Sequence, residues 1–367
     1  MGDEKTNQKK RSTGVNRRDF LASGGLTLGA AALASSSLKA LGCADPSCQD
    51  KSGTGGQPMA SDMGVIGDCT SGTLDPDLFL THFDWGKVTK DLGDGKKRRE
   101  YTFFAVDKEI EIAPGLFFPA WAYTSETPHD QDGNQIPGPG GSTGHVPGPT
   151  IRCREGDEIY IKFINQNNHP HTIHFHGYHS AEMDGSMKHQ FVFQNETFEY
   201  EFMAEPFGLH LYHCHSVPLK RHIHKGLYGT YIIDPKEGRE PARELVMVMN
   251  GFDTNFDGDN EIYAVNSVAN HHMRYPIKVK KDELVRIYLV NTTEFDPINS
   301  FHLHANFFYE NRTGTSMKAE YFTDTVMFCQ GERSILEMRF PKTGLYMFHA
   351  HQSEFAELGW MGNFEVV

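Results

Sequence analysis

Past its N-terminal region the 367-residue sequence has no run of 18 apolar residues, which excludes a later membrane-spanning helix. Positive charge is short as well. There are 35 Lys+Arg against 48 Asp+Glu, a formal net charge of −13, and so acidic a chain lacks the basic face that phosphate backbones demand. Nucleic acid is therefore excluded as a partner. Helical periodicity is missing too, since no long stretch repeats apolar residues every three or four positions. What is present is a charged fraction of 23% and an aromatic fraction of 12%, the composition of a chain that buries a core. At this length two domains are expected. The anomaly is histidine, with 20 residues, most of them clustered, and histidine is the commonest metal ligand.

Residues 1–42 read as a targeting segment rather than as part of the fold. Arg17-Arg18 precedes a weakly apolar, Gly/Ala-rich run from Leu26 to Ala34, the pattern of a twin-arginine export signal. That predicts a periplasmic or cell-surface protein that folds before export. Ala40-Leu41-Gly42-Cys43 is a poor match to a lipoprotein acceptor, so contact with a membrane is expected only if Cys43 is lipidated. Residues 43–97 are expected to form an irregular arm or linker, because their first part is rich in Gly, Ser, Asp and Pro. Cys43, Cys48 and Cys69 could pair in an oxidising compartment, although the pairing is not readable from spacing.

From residue 98 the pattern is β. Glu196 to Phe202 alternates acid and aromatic with period two, as a half-buried strand requires. The chain also repeats itself. Gly156 to Asn165 corresponds to Asp282 to Asn291, and each strand is followed by a His-x-His pair, His174/His176 and then His302/His304. Further on, Gly208-Leu209 leads to His213-Cys214-His215, and Gly344-Leu345 leads to His349-Ala350-His351. The copies stand roughly 130 residues apart, the length of one small β-sandwich. The prediction is an all-β chain of two sandwich domains, 98–236 and 237–367, with the boundary just after Asp234-Pro235.

In a strand, residues i and i+2 face the same way, so each His-x-His pair can offer two ring nitrogens to one face. Four such pairs at corresponding positions supply eight imidazoles, more than the four ligands of a tetrahedral zinc, and point to a multinuclear site. Imidazole alone leaves copper, zinc, iron and nickel open. Cysteine decides among them. Two histidines, a thiolate and a weak axial neighbour are the ligand set of a blue copper site, which assigns His171, Cys214 and His222, with Leu227 in the non-ligating axial position. His224 is the rival to His222, and His222 is preferred because Gly226-Leu227 follows it at the required spacing. His213 and His215 flank Cys214 and would join its copper covalently to the cluster. Such wiring suits one-electron oxidation of a substrate coupled to four-electron reduction of O2.

On these motifs the sequence resembles the multicopper oxidases, specifically their two-domain, laccase-like members, from about Arg99 to Val367. The motifs include Val146-Pro147-Gly148-Pro149-Thr150-Ile151, His171 to Gly177, the His-Cys-His segment, Phe301 to His304 and the last His-x-His. The resemblance implies cupredoxin-like Greek-key domains and four coppers per chain: one type 1, one type 2 and two type 3. His174 and His302 would hold the type 2 copper, and His176, His213, His215, His304, His349 and His351 the type 3 pair. It also implies phenols, aromatic amines or metal ions as reducing substrates. In the second half Asn299, Ala350, Phe355 and Trp360 stand where a type 1 site would be, so the first half carries it. That placement is similar to the subgroup nearest the copper nitrite reductases and implies a homotrimer with the cluster between neighbouring chains. Nitrite reduction is the alternative activity, and a non-catalytic periplasmic copper-binding role is another. Protons for O2 chemistry require an acid, for which Asp184 and Glu354 are the candidates.

Overall fold

A computed structural model gives the structure and describes residues 75–138 and 144–367. The twin-arginine segment, Cys43, Cys48 and Cys69 lie outside these residues. Alternation becomes strand where the sequence alternates. The Glu/aromatic run forms a strand over Thr197–Met203 in which Tyr200 and Phe202 point inward while Glu199 and Glu201 stay exposed.

The first half contains α1 (Pro76–Phe79), β1 (Lys87–Gly93), β2 (Lys96–Ala113), β3 (Leu116–Ser125), β4 (Gly148–Arg154), β5 (Glu158–Asn165), β6 (His174–Phe175), β7 (Thr197–Met203), β8 (Gly208–His213), α2 (Leu219–His224) and β9 (Tyr228–Asp234). The second contains β10 (Arg243–Phe252), β11 (Ile262–Val265), α3 (His271–Arg274), β12 (Ile277–Val279), β13 (Val285–Asn291), β14 (Ile298–Leu303), β15 (Phe308–Arg312), β16 (Tyr321–Thr323), β17 (Thr325–Cys329), β18 (Arg333–Met338), β19 (Gly344–His349), α4 (Ser353–Glu357) and β20 (Met361–Val366). One sheet runs β1-β2-β5-β7 with β3 also on β2, and faces a second sheet, β4-β9-β8-β6. In the second half a β11-β10-β13-β18-β15-β16 sheet faces β12-β20-β19-β14-β17. Parallel pairs fall at equivalent places, β2·β5 with β10·β13 and β4·β9 with β12·β20. Two cupredoxin-like β-sandwiches of one Greek-key topology result.

Each sandwich has its own core. Phe103, Phe163, Tyr200 and Tyr212 fill the first, and Leu245, Ile287, Phe301, Phe348 and Trp360 the second. A third cluster lies between them, where Leu209, Leu211 and Ile232 of the β8–β9 face meet Val246, Val248, Tyr288 and Ile335. Only the β10 sheet of the second sandwich therefore supplies strands to this contact, and β14 and β19 lie on the opposite sheet.

The irregular arm expected up to residue 97 is corrected at its C-terminal end. Residues 75–85 form a strap. Leu80 enters the second core and accepts a hydrogen bond from the Val246 amide (2.8 Å), while Asp84 bridges to Ile151 of β4. Then β1 pairs with β2 through the turn Gly93-Asp94-Gly95, whose three residues have φ between 52° and 80°. The strand β1 is an edge strand with no buried residue, so it carries no apolar alternation to read. Among the described residues no helix is long and apolar enough to cross a membrane.

Candidate metal centres

Three donors from separate segments converge in the first sandwich. His171 stands on the loop ahead of β6, Cys214 follows β8, and His222 belongs to α2. All three are buried. The His171 and His222 Nδ1 atoms are 3.0 Å apart, and Cys214 Sγ lies 3.7 Å and 3.3 Å from them. Burial, and next the proximity of His222, push the His171 imidazole down to about 3; burial, then His169 and Arg221, bring His222 to about 4. Both rings are therefore neutral at physiological pH, with lone pairs available for a metal. Burial raises the Cys214 thiol, opposed by the Thr172 amide 3.5 Å from its sulfur.

The surrounding shell is apolar. Leu227 is fully buried, its carbonyl accepts the Cys214 amide (2.9 Å), and its own amide reaches the His222 carbonyl. Gly226, at φ 112°, lets the chain pass close beneath the Trp121 carbonyl and Val146, where a Cβ would collide. The Trp121 ring lies 5.2 Å from that of His171 and 5.0 Å from that of His222. His224 points elsewhere: its Nε2 accepts the Asp253 amide (3.1 Å), and its ring packs on Phe118 and Phe295. Two neutral imidazoles and a thiol, buried together and facing one point, fit a copper ion as the chemistry of a blue copper donor set requires.

The eight histidines of the four His-x-His pairs form two quartets of matching construction. Strand register opposes His174 to His213 and His302 to His349. One ligand atom each from His174, His176 and His213 lie within 4.8 Å of one another, as do those from His302, His304 and His349. The His215 ring is 5.3 Å from that of His174, and His351 is 5.1 Å from His302. Nδ1 of His174 donates to the Asp184 carbonyl (2.8 Å) and Nδ1 of His302 to the Asp324 carbonyl (2.9 Å), while those of His213 and His349 face the Cys214 and Ala350 carbonyls. These bonds fix the tautomer and turn each Nε2 toward its neighbours, the orientation a metal ligand needs. The backbone beside the last histidine is held alike in both halves, His215 N–H on Thr172 Oγ1 (3.0 Å) and His351 N–H on Ser300 Oγ (2.8 Å). Burial, ahead of neighbouring rings, lowers His176 and brings His213 to about 4.

Asp184 Oδ1 lies 3.2 Å from His174 Nδ1, so this candidate acid sits against the first quartet. Gly185, at φ 75°, allows that turn to press on the Ile173 carbonyl. Glu354 is an exposed residue in the first turn of α4. The structure adds residues that sequence reading missed, namely Asp324, Thr325 (Oγ1 2.8 Å from His302 Nδ1), Thr172, Ser300 and Trp121. Aligning the two repeats would have found the Thr172/Ser300 pair, each two residues before the first histidine of its quartet.

Residues 133–238 and 240–367 each match a multicopper oxidase domain. A solved multicopper oxidase is 51% identical, with a TM-score of 0.72 over 80% of this chain and 97% of that one. A copper-containing nitrite reductase of Neisseria gonorrhoeae is 30% identical over 188 residues, 45% of this chain and 46% of that protein. Laccase-9 of Arabidopsis thaliana is 28% identical over 222 residues, 52% of this chain and 36% of that protein. The chain thus spans less than half the length of these two curated relatives. It belongs to the multicopper oxidase family, whose members bind copper and are oxidoreductases.

Proposed function

We propose that this chain is a laccase-like oxidase that takes single electrons from a reducing substrate and reduces O2 to water. The observation that carries this reading is Cys214, held with His171 and His222 in one buried triad and flanked in sequence by His213 and His215 of the first quartet. His171, Cys214 and His222 would hold a type 1 copper, with Leu227 packed in the same core as a non-ligating neighbour. His174 and His302 would hold type 2, and His176, His213, His215, His304, His349 and His351 the type 3 pair. Bound copper supplies one-electron acceptance at the cysteine and electron delivery to O2 at the histidines. Cys214 links the two covalently through its own backbone. Leu227 and Trp121 keep water off the thiolate. Asp184, whose Oδ1 lies beside the first quartet, would hold a proton there, and Glu354, three residues after His351 in sequence, is the second candidate.

A homotrimer belongs to the same proposal. The two quartets stand on different sheets, the second on the sheet turned away from the first sandwich, with His304 and His351 exposed. A few residues on from His304, the exposed Phe307 and Tyr309 each pack tilted against Phe322, with centroids 5.2 and 4.7 Å away, an apolar surface suited to a second copy. A cluster needing both quartets would then form between neighbouring chains. Phenols and aromatic amines are the proposed substrates, with metal ions as further donors, and the Arg17-Arg18 motif supports a periplasmic or cell-surface location.

Copper stoichiometry with absorption and EPR spectra, followed by O2 uptake, tests the reading. Four coppers per chain with a type 3 near-ultraviolet band and O2 consumption are expected. Two coppers per chain without that band would move the assignment to nitrite reduction, which the Neisseria likeness supports, and full loading without O2 uptake would leave a copper-binding protein. Sedimentation of the loaded protein checks the trimer.

A further inference from the structure

Away from both quartets, Asp77 of α1 approaches two adjacent histidines of α3. Asp77 Oδ2 is 3.4 Å from His271 Nε2, and Oδ1 is 3.6 Å from His272 Nδ1. His272 is only 1% exposed, both of its ring nitrogens are buried, and His271 Nε2 is buried against the Asp77 carboxylate. A core histidine normally spends its N–H on a carbonyl, because a buried donor without an acceptor is costly. Here three buried ring nitrogens and a carboxylate gather, and one atom from each of the three residues lies within 4.8 Å of the others. The two carboxylate contacts are longer than a hydrogen bond of about 2.7–3.2 Å. The His271 contact has the spacing of about 3.3–3.5 Å between two ligands of one tetrahedral ion with metal–ligand bonds of about 2.0–2.1 Å, and the His272 contact lies just beyond it.

We propose that Asp77, His271 and His272 form a separate metal site that takes a borderline divalent ion, zinc or copper(II), and pins the strap to the second sandwich. Two imidazoles and a carboxylate suit either ion, and solvent can complete the shell on the exposed side of Asp77. The neighbouring structure is rigid enough to hold the geometry. The His272 Cβ packs against Gly362, with no room for a Cβ there, and the Ala269 amide ahead of α3 bonds to the Ile112 carbonyl of β2. The bound ion would tie residue 77 to residues 271 and 272, closing a long loop, so its role is structural.

The test uses the full chain, loaded with copper, equilibrated with zinc chloride and freed of excess ions by gel filtration. Metal analysis should find one ion per chain more than in Asp77→Asn and His271→Gln, whether the extra ion is zinc or copper. The visible thiolate band of both variants should equal that of the wild type, which separates loss of this site from loss of the copper centres. Zinc should raise the melting temperature of the wild type by a few degrees and leave that of Asp77→Asn unmoved. Equal metal content in wild type and both variants, or an equal zinc shift in Asp77→Asn, would overturn the proposal.

Discussion

The two sandwiches offer the same corner twice, filled once with metal donors and once with hydrocarbon. In the first, the Cys214 amide bonds to the Leu227 carbonyl and the Leu227 amide to the His222 carbonyl; in the second, Ala350 bonds to Trp360 (3.1 Å) and Trp360 to Phe355 (2.9 Å). The backbone frame is thus common to both. Where His171 stands in one copy, Asn299 in the other is buried and donates to Thr293 Oγ1 (3.1 Å). Phe355 stacks on Tyr263 at 4.0 Å, and the Trp360 ring meets Phe301 and Phe348 edge-on. The frame alone does not make a metal site. A converging donor set is needed as well, and the second copy has side-chain packing in its place.

The comparison can be broken most decisively at the cysteine. Cys214→Ser should abolish the visible thiolate band and reduce oxidase turnover to background, whereas Ala350→Cys should create no second band, since Phe355 and Trp360 occupy the space of the missing ligand and axial residue. Absorption spectra of the two variants check both halves of the statement. Next in size is Trp360→Ala, which should cost about 3–5 kcal/mol in denaturant unfolding because it empties a packed core. No copper should bind in the space it leaves.

A pH series sharpens the contrast by giving the first sandwich its own signature. Burial pushes the Asp84 carboxyl up to about 6, against the amides of Gly86 and His129 that it accepts. The folded chain then keeps a proton that the unfolded chain releases between about pH 4 and 6. Stability should fall by about 3 kcal/mol as pH rises through that window and stay level above it, and Asp84→Asn should remove the slope. The smallest effects are expected at the paired hydroxyls. Thr172→Ala and Ser300→Ala should each cost about 1 kcal/mol by freeing a histidine amide, with similar values if the halves are equivalent there.

Much of this was legible in the sequence because strand ligands obey a short rule. The i, i+2 spacing of His174/His176 and His302/His304 places both rings on one face whatever the loops do. The repeat then located the halves, and Gly226-Leu227 singled out His222 over His224. Contacts closed by tertiary pairing were not legible. Asp184 follows His174 by 10 residues, but its counterpart Asp324 follows His302 by 22 and arrives only because β17 pairs with β14. The strap was hidden for another reason: its hydrogen bonds run to two sandwiches at once, and its neighbour β1 has no apolar face to announce it.

The shared apolar contact between the sandwiches has a consequence for how the chain could be divided. Leu209, Leu211 and Ile232 on one side and Val246, Val248 and Tyr288 on the other are all nearly or fully buried in one cluster that both halves share. Cut between residues 236 and 237, each half would expose a greasy plate, and Leu80 would leave the second core with the first half. The tandem repeat has ceased to be modular. It should melt as one cooperative unit, and neither half should persist as a soluble fragment.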